Sequence, residues 1–399
     1  MQLKVVAANC IYRKLNIMKK SLLALAIIAA STTATAATVY DKDGTSLAVG
    51  GRVQSVVYNG NGGAAVQGEN GIADHDAGLV NSARLNIDGN TKINDYVSAF
   101  AFSEWDMADG NKTANGDNIS TREQYVGADF GDFGKLLVGK TYDAANEVLA
   151  ATDVFEDFGA RQQGSINSDR RTGMFRYVYD NNGFFGSVSY ETASDETTVA
   201  GQDANVEGGF AAAAGYTIDD VVFGPLSFKA GYSYVKGQDD SDKLKGSITN
   251  YGEDGTWGFD DFKIISASVS WGSTDSGLYL GALYNTQRAK QRLDGAQSSY
   301  KNKVKGYEFV VGYTFDNGVG LFTGYNFTDA KTVDPEADPS RSDSAIYRRV
   351  PVYVNYAIND NFNIWGEAEF DANSTSEKDH QLPGGETGTM LSAGARYTF

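Results

Sequence analysis

The chain offers few residues able to make or break bonds. His75 and His380 are its two histidines, both in polar, loop-like sequence, and its one cysteine is Cys10. No P-loop, CxxC pair, HExxH or GxSxG spacing occurs. We therefore expect no enzyme, no metal centre and no cofactor. The charged residues carry a pattern instead. Arg52, Arg84, Arg122 and Arg170 recur in segments of alternating apolar and polar residues, while Asp153, Glu156 and Asp157 gather in a long polar stretch. Fixed charges of opposite sign across a narrow passage orient and sort polar solutes without covalent chemistry. Such work depends on the elements that hold the two sets apart.

Those elements read as strands. In Tyr307–Phe315 one face is Tyr, Phe, Val, Tyr and Phe, and the other is mixed and partly polar. Leu391, Ala393, Ala395, Tyr397 and Phe399 alternate with Ser392, Gly394, Arg396 and Thr398, and Leu47, Val49, Val53 and Val57 alternate with Ser46, Arg52 and Gln54. A period of two fits a half-buried strand. Tyr (23), Phe (21) and Gly (46) are abundant against 5 Pro, which suits short strands and tight turns.

The same period would serve a soluble sandwich with its apolar face inward. Arg, Glu and Gln at mid-strand on the other face decide against it, because they are expensive in a packed core and cheap in a wet lumen. Lipid demands that every backbone group be paired, so a sheet survives there only as a closed barrel, apolar outside and polar inside.

The start of the chain fits export. Met18-Lys19-Lys20 is a short basic beginning, Leu22 to Ala30 an apolar run, and Ala34-Thr35-Ala36 a small-residue cleavage site. We expect residues 1–36 to be leader and signal peptide, with true start at Met18 and cleavage after Ala36, and residues 37–399 to form one transmembrane domain. Residues 1–36 hold five basic side chains and no acid, so their loss leaves 29 basic against 51 acidic residues, a formal charge of −22. Nucleic acid is not an expected partner for such a surface. Cys10 would leave with the leader, and a mature chain without thiols can have no disulfide framework.

Turn signals set the topology. Gly89-Asn90, Gly131-Asp132, Asn181-Asn182-Gly183, Asp275-Ser276-Gly277, Asp316-Asn317-Gly318 and Asn359-Asp360-Asn361 separate strand-like runs. Long polar stretches at about 59–80, 107–120, 142–169, 192–207, 237–260, 289–303, 329–346 and 371–388 alternate with them. Sixteen strands result, near 46–58, 81–88, 95–106, 121–130, 135–141, 170–180, 184–191, 208–217, 226–236, 262–272, 277–288, 304–315, 319–328, 346–358, 362–370 and 387–399. The expected fold is all-β, a 16-stranded antiparallel transmembrane barrel, wide enough for an aqueous channel.

The residues at both ends carry a resemblance. Ala37-Thr38-Val39-Tyr40-Asp41-Lys42-Asp43-Gly44 resembles the mature start of the Gram-negative general-diffusion porins, where a small residue and Ile/Val-Tyr precede Lys-Asp-Gly. The end, Ala395-Arg396-Tyr397-Thr398-Phe399, is similar to the terminal aromatic signature read by the barrel-assembly machinery, which makes Phe399 the assembly signal. The resemblance spans essentially the whole mature chain. It implies a homotrimer in the outer membrane, among lipid and lipopolysaccharide, passing small hydrophilic solutes and ions.

It also implies that the third long loop, about 142–169, folds into the pore. Asp153-Val154-Phe155-Glu156-Asp157-Phe158-Gly159 looks like the constriction-loop motif, with Glu156-Asp157 before the Phe where Pro-Glu is usual and Ala160 where a second Gly is common. Arg52, Arg84, Arg122 and Arg170 match the strand positions that carry the family's basic cluster, and strand parity points them inward. Arg171 competes with Arg170 for the fourth place. Arg170 is preferred because its parity keeps Phe175, Tyr177 and Tyr179 towards lipid, and Arg176 shares that parity. Asp153 and Asp157, with Glu156 and Asp143 nearby, would face the basic wall, and Glu104 is a further lumen candidate. Trp105, Tyr177 and Phe399 read as outward girdle aromatics. The alternative function is a substrate-specific porin for oligosaccharides, for which inward Phe100 and Phe102 could begin an aromatic lining. Net charge and acidic loops favour weak cation selectivity, which the arginine wall opposes.

Overall fold

The computed structural model describes residues 36–59, 77–108, 119–159, 169–199, 202–238, 257–293, 300–333, 344–373 and 388–399. Most of the expected leader, Asp74–Asp76 of the first long loop, His75 and His380 lie outside the described residues. The strands are β1 (Ala37–Lys42), β2 (Thr45–Tyr58), β3 (Gly78–Lys92), β4 (Ser98–Ala108), β5 (Ile119–Asp129) and β6 (Lys135–Thr141). Then come β7 (Arg171–Asn181), β8 (Phe184–Glu191), β9 (Ser194–Val199), β10 (Gln202–Val221), β11 (Gly224–Gly237) and β12 (Trp257–Gly272). The last are β13 (Gly277–Leu293), β14 (Tyr300–Thr314), β15 (Val319–Val333), β16 (Ser344–Asn359), β17 (Phe362–Asp371) and β18 (Met390–Thr398).

Each strand pairs antiparallel with the next around the ring, β8 pairs β10, and β18 returns to pair β2. Sixteen strands thus close the barrel, and each of the sixteen sequence segments overlaps one of them. The other two are additions. β1 pairs Thr45–Val49 of β2, while β18 pairs Arg52–Tyr58 on the same edge, so β1 and β18 follow one another along β2. Phe399 joins the break, its N–H donating to Gly51 O at 2.9 Å and its carbonyl accepting from Gly51 N at 2.8 Å.

β9 falls in the stretch expected to be loop. It pairs the start of β10, and Val199, Ala204 and Val206 are buried with Val235, Phe259, Phe262, Ile264 and Ala289. The apolar cover that stabilises this hairpin comes from strands far along the chain, so local sequence does not reveal it.

Turn chemistry sets the short connections. Asn182 (φ 53°) and Gly183 (φ 80°) both adopt the left-handed region in the two-residue turn between β7 and β8, the conformation that an Asn-Gly pair favours. Outward residues are apolar and exposed: Val53 and Val57 on β2, Phe309, Val311 and Tyr313 on β14, Val352, Val354 and Tyr356 on β16. An apolar band of this extent meets lipid hydrocarbon, not water. Asn326, Glu308, Glu367, Glu369 and Ser392 lie buried on the opposite face.

Candidate pore constriction

The third long loop enters the barrel and crosses its inner face. Asp143, 1% exposed, begins it: its carboxylate accepts from Arg171 Nη2 (3.2 Å) and Ser233 Oγ (2.8 Å), and Arg171 Nε also reaches Glu191 at 2.8 Å. The 3₁₀ turn Asn146–Ala151 follows, with Glu147 accepting from Arg176 Nη2 at 3.0 Å. Val148 and Leu149 pack on Val178, Phe185, Ala213 and Leu283. A Cβ at Gly281 would stand 2.0 Å from the Ala151 carbonyl oxygen, so the loop lies directly against the β13 backbone. Tyr279 donates to that carbonyl at 2.7 Å, and the Thr152 hydroxyl donates to Glu308.

The loop tip is docked at β17, β18 and β2. Glu367 accepts four consecutive backbone N–H groups, from Glu156 (2.8 Å), Asp157 (2.8 Å), Phe158 (2.7 Å) and Gly159 (3.2 Å). Successive amides converging on one carboxylate form an anion nest whose ligand is supplied by the wall. Asp157 was expected to face the arginines. Instead its two oxygens accept from Tyr58 Oη (2.8 Å), Trp365 Nε1 (2.9 Å) and Ser392 Oγ (2.6 Å). Glu156 is paired with Arg396. Asp153 is exposed.

On the wall beside the loop tip, Arg52, Arg84 and Asp106 form one row, since Arg52 pairs Arg84 across β2 and β3, and Arg84 pairs Asp106 across β3 and β4. Arg84 Nε lies 2.7 Å from Asp106. Arg122 reaches Glu104 at 2.6 Å and Asp106 at 2.9 Å. Glu104 is 2% exposed. A register shift at Glu104/Trp105 leaves Arg122 as an extra residue, so a bulge turns it to the same side as Glu123. Simple alternation with the inward Tyr125 would have sent Arg122 outward.

Both arginines of the Arg170–Arg171 pair lie inside, for different reasons. Gly173 (φ 71°) sits where the β6–β7 register shifts, and the parity that holds for Met174, Arg176 and Val178 breaks there. Arg171 is 2% exposed in the loop-root cluster. Arg170 lies 4.3 Å over the Tyr142 ring and 3.7 Å from Glu123, on the side of Arg122. Phe175, Tyr177 and Tyr179 do point away from the lumen. Arg176 braces the loop through Glu147.

Sequence reasoning missed Arg396, Glu367, Tyr58 and Asp106. Arg396 and Glu367 alternate with outward apolar neighbours, the signal that found Arg52, but Glu367 stands in no motif and Arg396 falls in a terminal signature that is read for its aromatic end.

A family model described as Gram-negative porin matches residues 22–376. The chain belongs to the Gram-negative porin family. It is 30% identical to porin-like protein L of Photobacterium profundum over 397 residues, covering 96% of this chain and all of the relative. It is 27% identical to the outer membrane porin PhoE of Enterobacter cloacae over 391 residues, with 96% and 100% covered. Among solved structures, Salmonella typhi OmpF in complex with daunomycin aligns over 91% of this chain and 100% of its own, with TM-score 0.65 and 17% identity. The trimer form of Vibrio cholerae OmpT aligns over 90% and 100%, with TM-score 0.62 and 16% identity. At that identity the likeness concerns the fold. Family and barrel together make the chain an outer-membrane porin.

Proposed function

We propose that this porin is a general-diffusion channel for small hydrophilic solutes and ions, with weak cation selectivity. The reading is supported by two sets of fixed charge, Arg52, Arg84, Arg122 and Arg170 on the barrel wall and the exposed Asp153 on the loop that enters the barrel. On the wall, Glu104, Asp106 and Glu123 offset much of the arginine charge. The acidic mature chain then sets the sign of ion preference. Asp153 is the loop acid that meets passing solutes, whereas Asp157 and Glu156 hold the tip.

The functional unit is a homotrimer in this reading, in line with the Vibrio cholerae structure described as a trimer form. Lipid and lipopolysaccharide surround it, Phe399 marks it for the barrel-assembly machinery, and the mature chain starts at Ala37. The test is planar-bilayer recording under a salt gradient, with Asp153→Asn beside the wild type. Insertion in steps of three, with cation preference lowered in the variant, is expected. Insertion without conduction would refute the reading.

A second reading rests on the aromatic cluster of Phe100, Phe102 and Tyr125, with ring centroids of Phe102 and Tyr125 5.4 Å apart. It makes the channel specific for oligosaccharides, and block of the current by a particular sugar would favour it.

A further inference from the structure

We propose that the tip of the third loop has a second function, independent of what permeates: it is an internal clasp that closes the barrel seam. A barrel has one place where its last strand must find its first, and here that is the ladder between β18 and β2. This ladder is short, running from Ser392 to Thr398, whereas β13 and β14 pair from Gly277 to Gln291. Its termini are also the most distant partners in the chain, so closure carries the largest loop-ordering entropy of any ladder.

The loop tip sits on this seam through paired residues. Tyr58 of β2 and Ser392 of β18 are direct cross-strand partners, and both donate to the one carboxylate of Asp157, at 2.8 and 2.6 Å. Gln54 of β2 and Arg396 of β18 are also direct partners; Arg396 donates to Gln54 Oε1 from Nε (2.9 Å) and Nη2 (2.6 Å), also donates to Glu156, and lies 5.1 Å over the Trp365 ring. Asp157 thus bridges one rung of the seam on its inner side, and Glu156 holds the β18 member of another. Phe158, 1% exposed, inserts beside Tyr58 at 6.2 Å between ring centroids and is buried with Val56, Trp365 and Met390. Glu367 on β17 fixes the tip from the next strand. Charge-assisted bonds in a mostly enclosed site are the strong kind, and Asp157 receives three.

The test compares wild type with Asp157→Ala in detergent and in lipid. The variant is expected to melt roughly 5–10 °C lower, as a few lost ionic hydrogen bonds imply for a chain of this size. Amide exchange should rise in 52–58 and 392–398 and stay unchanged in 304–314. A disulfide across the seam, Val57→Cys with Ala393→Cys, should restore the melting temperature of Asp157→Ala. The same bridge between β13 and β14, Ala282→Cys with Phe309→Cys, should not. Both pairs are direct cross-strand partners on the outer face. Wild-type melting and exchange in Asp157→Ala, or equal rescue by both bridges, would overturn the proposal. If Asp157→Ala does not fold, it is refolded in the oxidised seam-bridged background: recovery there supports the clasp, and failure there refutes it.

Discussion

Arg52 lies directly across the β2–β3 ladder from Arg84, and of the two only Arg84 has a carboxylate partner among the described residues, Asp106 at 2.7 Å. Two like charges so placed repel, and Arg52, which feels Glu156 without a direct ion pair, acts on whatever passes. Arg52→Gln should therefore raise cation preference without loss of stability. The reversal potential measured at about 0.1 M salt should move more than at about 1 M, where the Debye length falls to about 3 Å. An unchanged reversal potential at low salt would remove Arg52 from the eyelet.

Glu367 is the sole acceptor described for four loop amides. Glu367→Ala orphans them together, and the expected cost is about 3 kcal/mol or more. The tip should leave the wall, giving noisier single-channel currents with altered conductance. Quiet wild-type currents would show that packing of Phe158 suffices to hold the tip.

The neighbouring arginines should behave oppositely. Removing Arg171 leaves buried Asp143 and Glu191 without the cation they share, so Arg171→Ala is expected to cost about 3–5 kcal/mol. Arg170 is partly exposed and its carboxylate is 3.7 Å away, so Arg170→Ala should cost about 1 kcal/mol or less while changing ion selectivity. Thermal unfolding and reversal potentials on the same two variants check this; equal destabilisation would contradict it.

Gly281→Val tests how closely the loop lies on the wall. The new Cβ would meet the Ala151 carbonyl at 2.0 Å, so the loop or strand must move, at about 1–3 kcal/mol. Conductance should change in parallel with stability. Wild-type values for both would mean the loop is held elsewhere.

The sequence by itself determined the barrel. Strand period, turn residues and the order of short and long connections are local properties, and lipid on one side with water on the other forces them to agree over sixteen strands. Arg52 and Arg84 were legible for the same reason, since their strands alternate without interruption. Tertiary structure decided the rest. Bulges at Arg122 and Gly173 break the parity rule, and they depend on how neighbouring strands match in register. The placements of Asp157, Glu156 and Arg396 join residues about 100 to 240 positions apart, and no local pattern encodes which acid is exposed and which finds three donors on the wall. Acids of one type in one loop thereby come to different surroundings, because the folded barrel supplies hydrogen-bond partners to Asp157 and leaves Asp153 exposed.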